Sequence, residues 1–255
     1  MLYDYATAMS QGRREYQEDS LAANFCVGDP YGFVVLADGM GGHAAGDVAS
    51  KIVVTEVFSE LKFKLSDYEA LEKNIGLILH DIVQSTNECI REHVKAYPDH
   101  HGMGSTLVAP IFFEDRLYWI SVGDSPLFHF RDGALSQINQ DHSMAPQIDM
   151  MLKTGQIDEE TARNHPDRNC LTSVIMGANI PHIDCRLSPK KVESGDILIA
   201  ASDGLQYLTN AEIEEILSKN EKKPGVKIAT ELLEAVMQLD DPDQDNISIA
   251  VIKID

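Results

Sequence analysis

The sequence predicts an α+β protein, and three observations support that fold class. Short apolar runs such as residues 34–37 and 197–201 have the length and composition of buried strands. Residues 226–239 repeat apolar residues at three- and four-residue intervals, which is typical of an amphipathic helix. Residues 105–113 and 116–122 are joined by a short acidic link, as in an antiparallel hairpin.

The predicted elements mix strands and helices from one end of the chain to the other. We predict strands at residues 3–10, 21–27, 34–37, 105–113, 116–122, 127–130, 197–201 and 247–254. We predict helices at residues 44–61, 67–95, 212–217 and 226–239. Residues 143–165 are interpreted as short helical pieces inserted between strands, and residues 169–176 as a return to the sheet.

Composition restricts the class of partner. The 255 residues carry 41 acidic and 21 basic side chains, a net charge of -20. That charge argues against binding nucleic acid or an anionic membrane surface. No apolar run approaches the roughly 18 residues of a membrane span, and the N-terminal residues lack the pattern of a signal peptide. The four widely spaced cysteines fit reduced thiols, so we expect a cytoplasmic protein.

Residues 34–43 hold the first candidate site residue. A buried strand is followed by Asp38, and glycines follow Asp38 in turn. A bare carboxylate is costly in a core and useful at a site, because burying its charge requires a partner. A capping role at the start of the next helix is the plainer alternative.

The same stretch also fits a dinucleotide-binding fingerprint. Residues 39–44 match G-x-G-x-x-A, and Glu60 follows at about the expected distance. However, Asp38 would repel a pyrophosphate, and Glu60 falls late in a helix rather than at the end of a second strand. The fingerprint alone is therefore weak evidence for a nucleotide site.

Several acidic residues lie at the ends of predicted strands. Clustered carboxylates repel one another unless a cation neutralises them, and hard divalent ions with oxygen ligands do so. Two such ions about 3.5–4 Å apart can activate a shared water for an in-line phosphoryl displacement. Arg14 could hold the phosphate with its planar guanidinium. The acidic residues are Asp38, Asp124, Asp203 and Asp245 at strand ends, with Glu18 and Asp19 at a strand start.

Calcium binding is a simpler explanation for one acidic segment. Asp241, Asp243 and Asp245 alternate as in an EF-hand loop. The sixth position is Asn246 instead of glycine, and the twelfth is Ile252 instead of glutamate. The EF-hand interpretation therefore fails, and the lack of a histidine-rich zinc motif favours Mg²⁺ or Mn²⁺.

Six short blocks occur in one order along nearly the whole chain, and together they resemble the bacterial form of the type 2C, metal-dependent serine/threonine protein phosphatases. A single Asp-Gly pair is common, whereas six ordered blocks are specific. The blocks are Arg14-x-x-x-Glu18-Asp19, Ala37-Asp38-Gly39-Met40-Gly41-Gly42-His43, Met103-Gly104-Ser105-Thr106, Val122-Gly123-Asp124-Ser125, Ala201-Ser202-Asp203-Gly204-Leu205 and Asp245-Asn246.

The resemblance implies one catalytic domain over residues 1–255, with a flap at about residues 143–169. Its fold would be a four-layer αββα sandwich, in which two central antiparallel β-sheets are flanked by helix pairs. The implied activity is hydrolysis of phosphoserine and phosphothreonine in proteins by a hydroxide that bridges two metal ions. The substrates would be phosphoproteins, including those of a cognate serine/threonine kinase that the enzyme opposes.

The resemblance also implies a role for each matching residue. Two tightly bound Mn²⁺ or Mg²⁺ ions would share Asp38, with Asp203 and Asp245 completing one site. Glu18 and the Gly39 carbonyl would serve the other site. The remaining implied roles are phosphate binding for Arg14, a weak third ion for Asp124 and support of the ligands for Asp19. The position of His43, five residues after Asp38 in the glycine-rich turn, suggests that it protonates the leaving group, and an ordinary turn histidine is the alternative.

The sequence departs from this pattern at two places. Tyr207 stands where many relatives have an aspartate, which weakens the expected third metal site. Thr172-Ser173 stands where relatives often have Thr-Arg, which removes an expected flap contact with substrate.

Overall fold

The computed structural model describes residues 2–26, 28–41 and 45–255. These residues form two β-sheets and seven α-helices. The strands are β1 Tyr3–Ser10, β2 Asp19–Phe25, β3 Tyr31–Met40, β4 Gly104–Ser105, β5 Leu107–Phe113, β6 Arg116–Val122, β7 Leu127–Arg131, β8 Ala134–Gln137, β9 Asp184–Cys185, β10 Lys190–Lys191, β11 Ile197–Ala201 and β12 Ile247–Ile254. The helices are α1 Ala45–Lys64, α2 Tyr68–Lys73, α3 Ile75–Ala96, α4 Ala145–Lys153, α5 Glu159–Arg163, α6 Asn210–Asn220 and α7 Gly225–Gln238.

The two sheets pack face to face. The first has the strand order β1-β12-β11-β7-β8, and the second has the order β10-β6-β5-β3-β2, with β4 beside β3 and β9 beside β6. Every strand pairing in both sheets is antiparallel among the described residues. The predicted four-layer αββα sandwich is therefore confirmed.

Alternation of side chains along β3 explains its continuous apolar run. Val34 and Leu36 point into the core between the sheets. Val35 and Ala37 point the other way, into the core formed with α1 and α3. A strand buried on both faces has no polar face, so its sequence does not alternate. The helices α6 and α7 cover the outer face of the first sheet in the same manner.

Two local predictions were wrong. The helix predicted over residues 67–95 is interrupted at Asn74, whose φ of -117° lies outside the helical region. The Asn74 side chain donates a hydrogen bond to the Ala70 carbonyl, and such local bonds compete with the helix. Residues 169–176 do not return to the sheet as a strand, and contribute only isolated bridges through Leu171 and Ile175.

The predicted strand after residue 33 was also too short. Strand β3 continues to Met40, so Asp38 lies within the strand instead of in the turn after it. The short strand β4 causes this extension, because Ser105 and Gly104 pair with Gly39 and Met40. Among the described residues, no helix combines the length and apolar character that crossing a membrane requires.

Candidate metal centre

The position of Asp38 is fixed through its main chain. Its N–H donates to the Thr106 hydroxyl at 2.9 Å, and its carbonyl accepts from the Thr106 N–H at 2.8 Å. The Ser105 hydroxyl also donates to the Asp38 carbonyl, at 2.9 Å. With the backbone held on both sides, the carboxylate has a defined direction. Ser105 and Thr106 belong to one of the ordered motifs, but no role for them was predicted from the sequence.

Asp19 lies directly across from Asp38. The two residues are paired in the antiparallel register of β2 and β3, which brings two acidic side chains to adjacent strands. Asp19 is only 4% exposed, and its Oδ2 accepts a hydrogen bond of 2.8 Å from the Ser202 hydroxyl. Because Ser202 follows β11, this bond connects the two sheets beside the cluster.

Asp203 and Asp245 come from the first sheet. Asp203 begins a 3₁₀ turn directly after β11, and Asp245 precedes β12, which pairs with β11. The two segments pack closely, since a Cβ on Gly204 would lie 2.1 Å from the Asn246 carbonyl oxygen. Glycine is therefore required beside Asp203, because any side chain would push the two loops apart.

Glu18 lies beside Gly39 at the edge of the second sheet. The Gly39 N–H donates to the Glu18 carbonyl at 3.1 Å. Burial raises the pKa of the Glu18 carboxyl, while the charge of Arg14 and a hydrogen bond from the Gly46 N–H at the start of α1 partly offset this. A Cβ on Gly46 would lie 2.4 Å from Glu18 Oε1, so this close approach also depends on glycine.

Burial and mutual repulsion raise the pKa values of the clustered aspartates. Burial is the largest cause in each case. The pKa of Asp203 is raised to about 6 and that of Asp124 to about 7. The pKa of Asp19 is also raised to about 7, and that of Asp38 is raised well above its ordinary value. The charge of Asp203 contributes to the raised pKa of Asp38.

The donor chemistry of this cluster fits divalent metal ions. Its donors are carboxylate oxygens, the ligands preferred by Mg²⁺ and Mn²⁺. Within the described part of the chain, Asp203 Oδ1 and Asp19 Oδ1 are buried without a hydrogen-bond partner. However, no group of three or more acidic, histidine or cysteine side chains in residues 2–26, 28–41 and 45–255 is arranged to hold an ion. One of the proposed oxygen donors, Asp245, is paired with Arg14 in this structure.

A cleft of about 1020 Å³ opens onto the cluster. One part of its lining comes from the predicted site, namely Arg14, Asp124, Asp203 and Asp245. Another part comes from residues 143–169, through Ser143, several residues of α4, and Arg168 and Asn169. The predicted flap therefore adjoins the acidic cluster, and a substrate in the cleft would contact both.

The remaining predicted residues have different outcomes. His43 lies outside the described residues. Tyr207 lines the cleft, and its hydroxyl donates to the Asp243 carbonyl at 2.7 Å. Ser173 is buried, and its hydroxyl bonds to the main chain of His182, so it is not among the residues that line the cleft. The dinucleotide alternative is excluded, because β3 lies between antiparallel neighbours instead of in a parallel βαβ unit.

Comparison with known proteins agrees with this architecture. Residues 11–238 match the family model described as protein phosphatase 2C. The serine/threonine phosphatase Stp of Listeria innocua is 33% identical over 208 residues, which are 81% of this chain and 80% of that protein. The PstP phosphatase of Mycobacterium tuberculosis is 31% identical over 98% of this chain and 45% of its own length.

Solved structures give the same result. A crystal structure of the Mycobacterium tuberculosis phosphatase PstP superposes with a TM-score of 0.82 at 28% identity, covering 100% of both chains. A structure of the PstP catalytic domain in complex with two manganese ions has a TM-score of 0.79, covering 99% of both chains at 28% identity. The chain described here belongs to the protein phosphatase 2C family. It is accordingly an enzyme, a hydrolase of the class named serine/threonine phosphatases.

Proposed function

We propose that this chain removes phosphate from phosphoserine and phosphothreonine in proteins and opposes a serine/threonine kinase. The observation that supports this most strongly is the convergence of Asp38, Asp203 and Asp245, two of which line a large cleft together with Arg14. A folded phosphoprotein segment needs an open cleft of this kind. The names of the relatives, and two manganese ions in one of them, point to the same chemistry.

The metal ligands are assigned from the resemblance to type 2C phosphatases, and each of them offers an oxygen donor. Asp38 would serve two ions, with Asp203 and Asp245 on one side and Glu18 and the Gly39 carbonyl on the other. Asp124 would contribute to a weaker third site. Bound Mn²⁺ or Mg²⁺ supplies positive charge and lowers the pKa of a coordinated water, which makes hydrolysis possible near neutral pH.

The chain's own residues would hold and orient the substrate. Arg14 would donate two N–H hydrogen bonds from its guanidinium to phosphate oxygens and keep phosphorus in line with the attacking water. For that, Arg14 must leave Asp245, its partner in this structure. Flap residues 143–169 would contact the peptide on the other side of the cleft and limit the access of bulk water.

A phosphate-release assay tests this function. Phosphoserine and phosphothreonine peptides should be hydrolysed in the presence of Mn²⁺, and addition of EDTA should abolish the activity reversibly. A phosphotyrosine peptide of the same sequence is the substrate control. If phosphoserine and phosphothreonine peptides are stable with saturating Mn²⁺ and Mg²⁺, the chain is a non-catalytic binding protein on this fold.

A further inference from the structure

The segment between β1 and β2 carries two proposed site residues but has no regular secondary structure. It covers residues 11–18 and includes Arg14 and Glu18. Residues 13–16 are exposed, so apolar burial contributes little to holding this segment. A catalytic arginine must nevertheless be held close to its working position, because a misplacement of about 1 Å can cost about a hundredfold in rate.

A single buried side chain, that of Asn246, forms three hydrogen bonds to the main chain of this segment. Its Nδ2 donates to the carbonyls of Gln11 at 2.8 Å and Tyr16 at 3.0 Å. Its Oδ1 accepts from the N–H of Glu18 at 2.7 Å. The flipped amide would set an oxygen against two carbonyls and an NH₂ against an N–H, so the orientation is determined by its neighbours. Asn246 is only 4% exposed.

The same segment also packs against the main chain just before Asn246. The Arg13 N–H donates to the Gln244 carbonyl at 2.9 Å. Gly12 has a φ of +61°, and a Cβ there would lie 2.1 Å from the Asp245 carbonyl oxygen. The main chain of residues 11–18 thus packs directly against the main chain of residues 244–246. This packing places Arg14 against Asp245.

We propose that Asn246 is a positioning residue, which holds Arg14 and Glu18 in register with the loop that carries Asp245. The inference rests on the function proposed above and gives Asn246 a role in it without contact to the substrate. Loss of the amide leaves two carbonyls and one N–H without their partner and frees the segment to move. Binding of the phosphate by Arg14 and of metal by Glu18 should weaken together.

The test compares two buried asparagines. Asn246→Ala should raise KM for a phosphothreonine peptide about tenfold, short of the full effect of a 1 Å displacement. It should also raise the Mn²⁺ concentration needed for half-maximal activity. Asn220→Ala is the matched control, because Asn220 is 5% exposed and bonds to Ile216 and Glu231 on α6 and α7. It should lower thermal stability without changing KM, since distant sites act independently.

A double variant separates positioning from general support of the fold. If Asn246 acts through Arg14, adding Asn246→Ala to Arg14→Ala should raise KM by much less than the single change does. Hydrogen exchange of metal-free protein should show faster exchange at residues 11–18 in Asn246→Ala and unchanged exchange there in Asn220→Ala. Gly12→Ala disturbs the same contact without removing a buried amide, and should also raise KM.

The outcomes distinguish this inference from the proposed function. An inactive wild-type enzyme would overturn the proposed function, and the inference with it. An active wild-type enzyme whose KM is unchanged in Asn246→Ala and Gly12→Ala would overturn the inference alone. So would full additivity of Asn246→Ala and Arg14→Ala, or unchanged exchange at residues 11–18.

Discussion

The guanidinium of Arg14 lies 2.5 Å from Asp245 Oδ2, so the proposed phosphate-binding cation contacts a proposed metal ligand. The two side chains are 53% and 27% exposed. Ion pairs this exposed contribute about 0–1 kcal/mol, so Arg14 can leave Asp245 at little cost. If Asp245 binds metal as proposed, an ion and Arg14 would compete for one carboxylate, and metal binding would free Arg14 for the phosphate.

This competition gives the first prediction. Arg14→Ala should raise KM for a phosphothreonine peptide about tenfold or more, because a bidentate contact to phosphate is lost. Arg14→Lys should restore part of the loss, since lysine offers a charge without the planar fork. Calorimetry should find Mn²⁺ affinity no weaker in Arg14→Ala, because a competing cation is gone.

Arg13→Ala is the matched control for that prediction. Arg13 is the neighbouring arginine, and it pairs with exposed Asp240 instead of with the cluster. Its replacement should leave KM near the wild-type value. Unchanged KM and kcat in Arg14→Ala would mean that Arg14 is only a surface charge.

The raised carboxyl pKa values predict how stability depends on pH without metal. In the folded protein the pKa of Asp203 is raised to about 6 and those of Asp19 and Asp124 to about 7, from 3.8. The folded state therefore keeps protons that the unfolded state has released. The free energy of unfolding in EDTA should fall as pH rises from about 4 to about 7. Urea unfolding at several pH values measures this.

Two additions test the source of that pH dependence. Saturating Mn²⁺ should abolish the fall in the free energy of unfolding at higher pH, since the bound ions compensate the carboxylate charge. Asp38→Asn should flatten the curve in EDTA, whereas Asp99→Asn, at an exposed residue outside the cluster, should not. If the free energy of unfolding changes with pH equally in wild type, Asp38→Asn and Asp99→Asn, the acidic cluster does not determine the pH dependence of stability.

Tyr207 leads to a prediction about metal stoichiometry. Because position 207 carries a tyrosine instead of an aspartate, a third ion near Asp124 and Asp203 lacks one charged ligand. The dissociation constant of that ion should therefore lie near the millimolar range, about 10⁻³ M. Mn²⁺ calorimetry should resolve two tight sites, and Tyr207→Asp should tighten a third. Tyr207→Phe is the control, because it removes the bond to the Asp243 carbonyl without adding a carboxylate. Three equally tight sites in the wild type would contradict the assignment.

His43 is predicted to protonate the leaving group. A serine alkoxide is a poor leaving group and needs that proton, whereas nitrophenolate does not. His43→Ala should therefore reduce kcat on a phosphoserine peptide at least about tenfold more than on nitrophenyl phosphate. Equal losses on both substrates would remove His43 from this role.

The sequence predicted most elements well, because their patterns are local. The last strand was predicted at residues 247–254 and found at Ile247–Ile254. The break at Asn74 was missed, because the apolar rhythm continues across it and gives no sign of the local bond to Ala70 that accompanies the break. The extension of β3 to Met40 was missed because it depends on pairing with β4, which is distant in sequence.

The residues of the site were predicted from ordered motifs, but their contacts were not. The register that sets Asp19 opposite Asp38 follows from how β2 and β3 pair. The contact between Arg14 and Asp245, and the three bonds of Asn246, join segments from opposite ends of the chain. Such contacts depend on the packing of the two sheets, for which a single sequence contains no direct signal.

Turnover by Asp38→Asn tests the central claim most directly. The substitution keeps the shape of the side chain and removes the charge that would be shared by two ions. At saturating Mn²⁺, the variant should release phosphate from a phosphothreonine peptide at least about a thousandfold more slowly than wild type, with an unchanged thermal unfolding profile in EDTA or a more stable one. Activity within about tenfold of wild type would contradict a metal-dependent mechanism centred on Asp38.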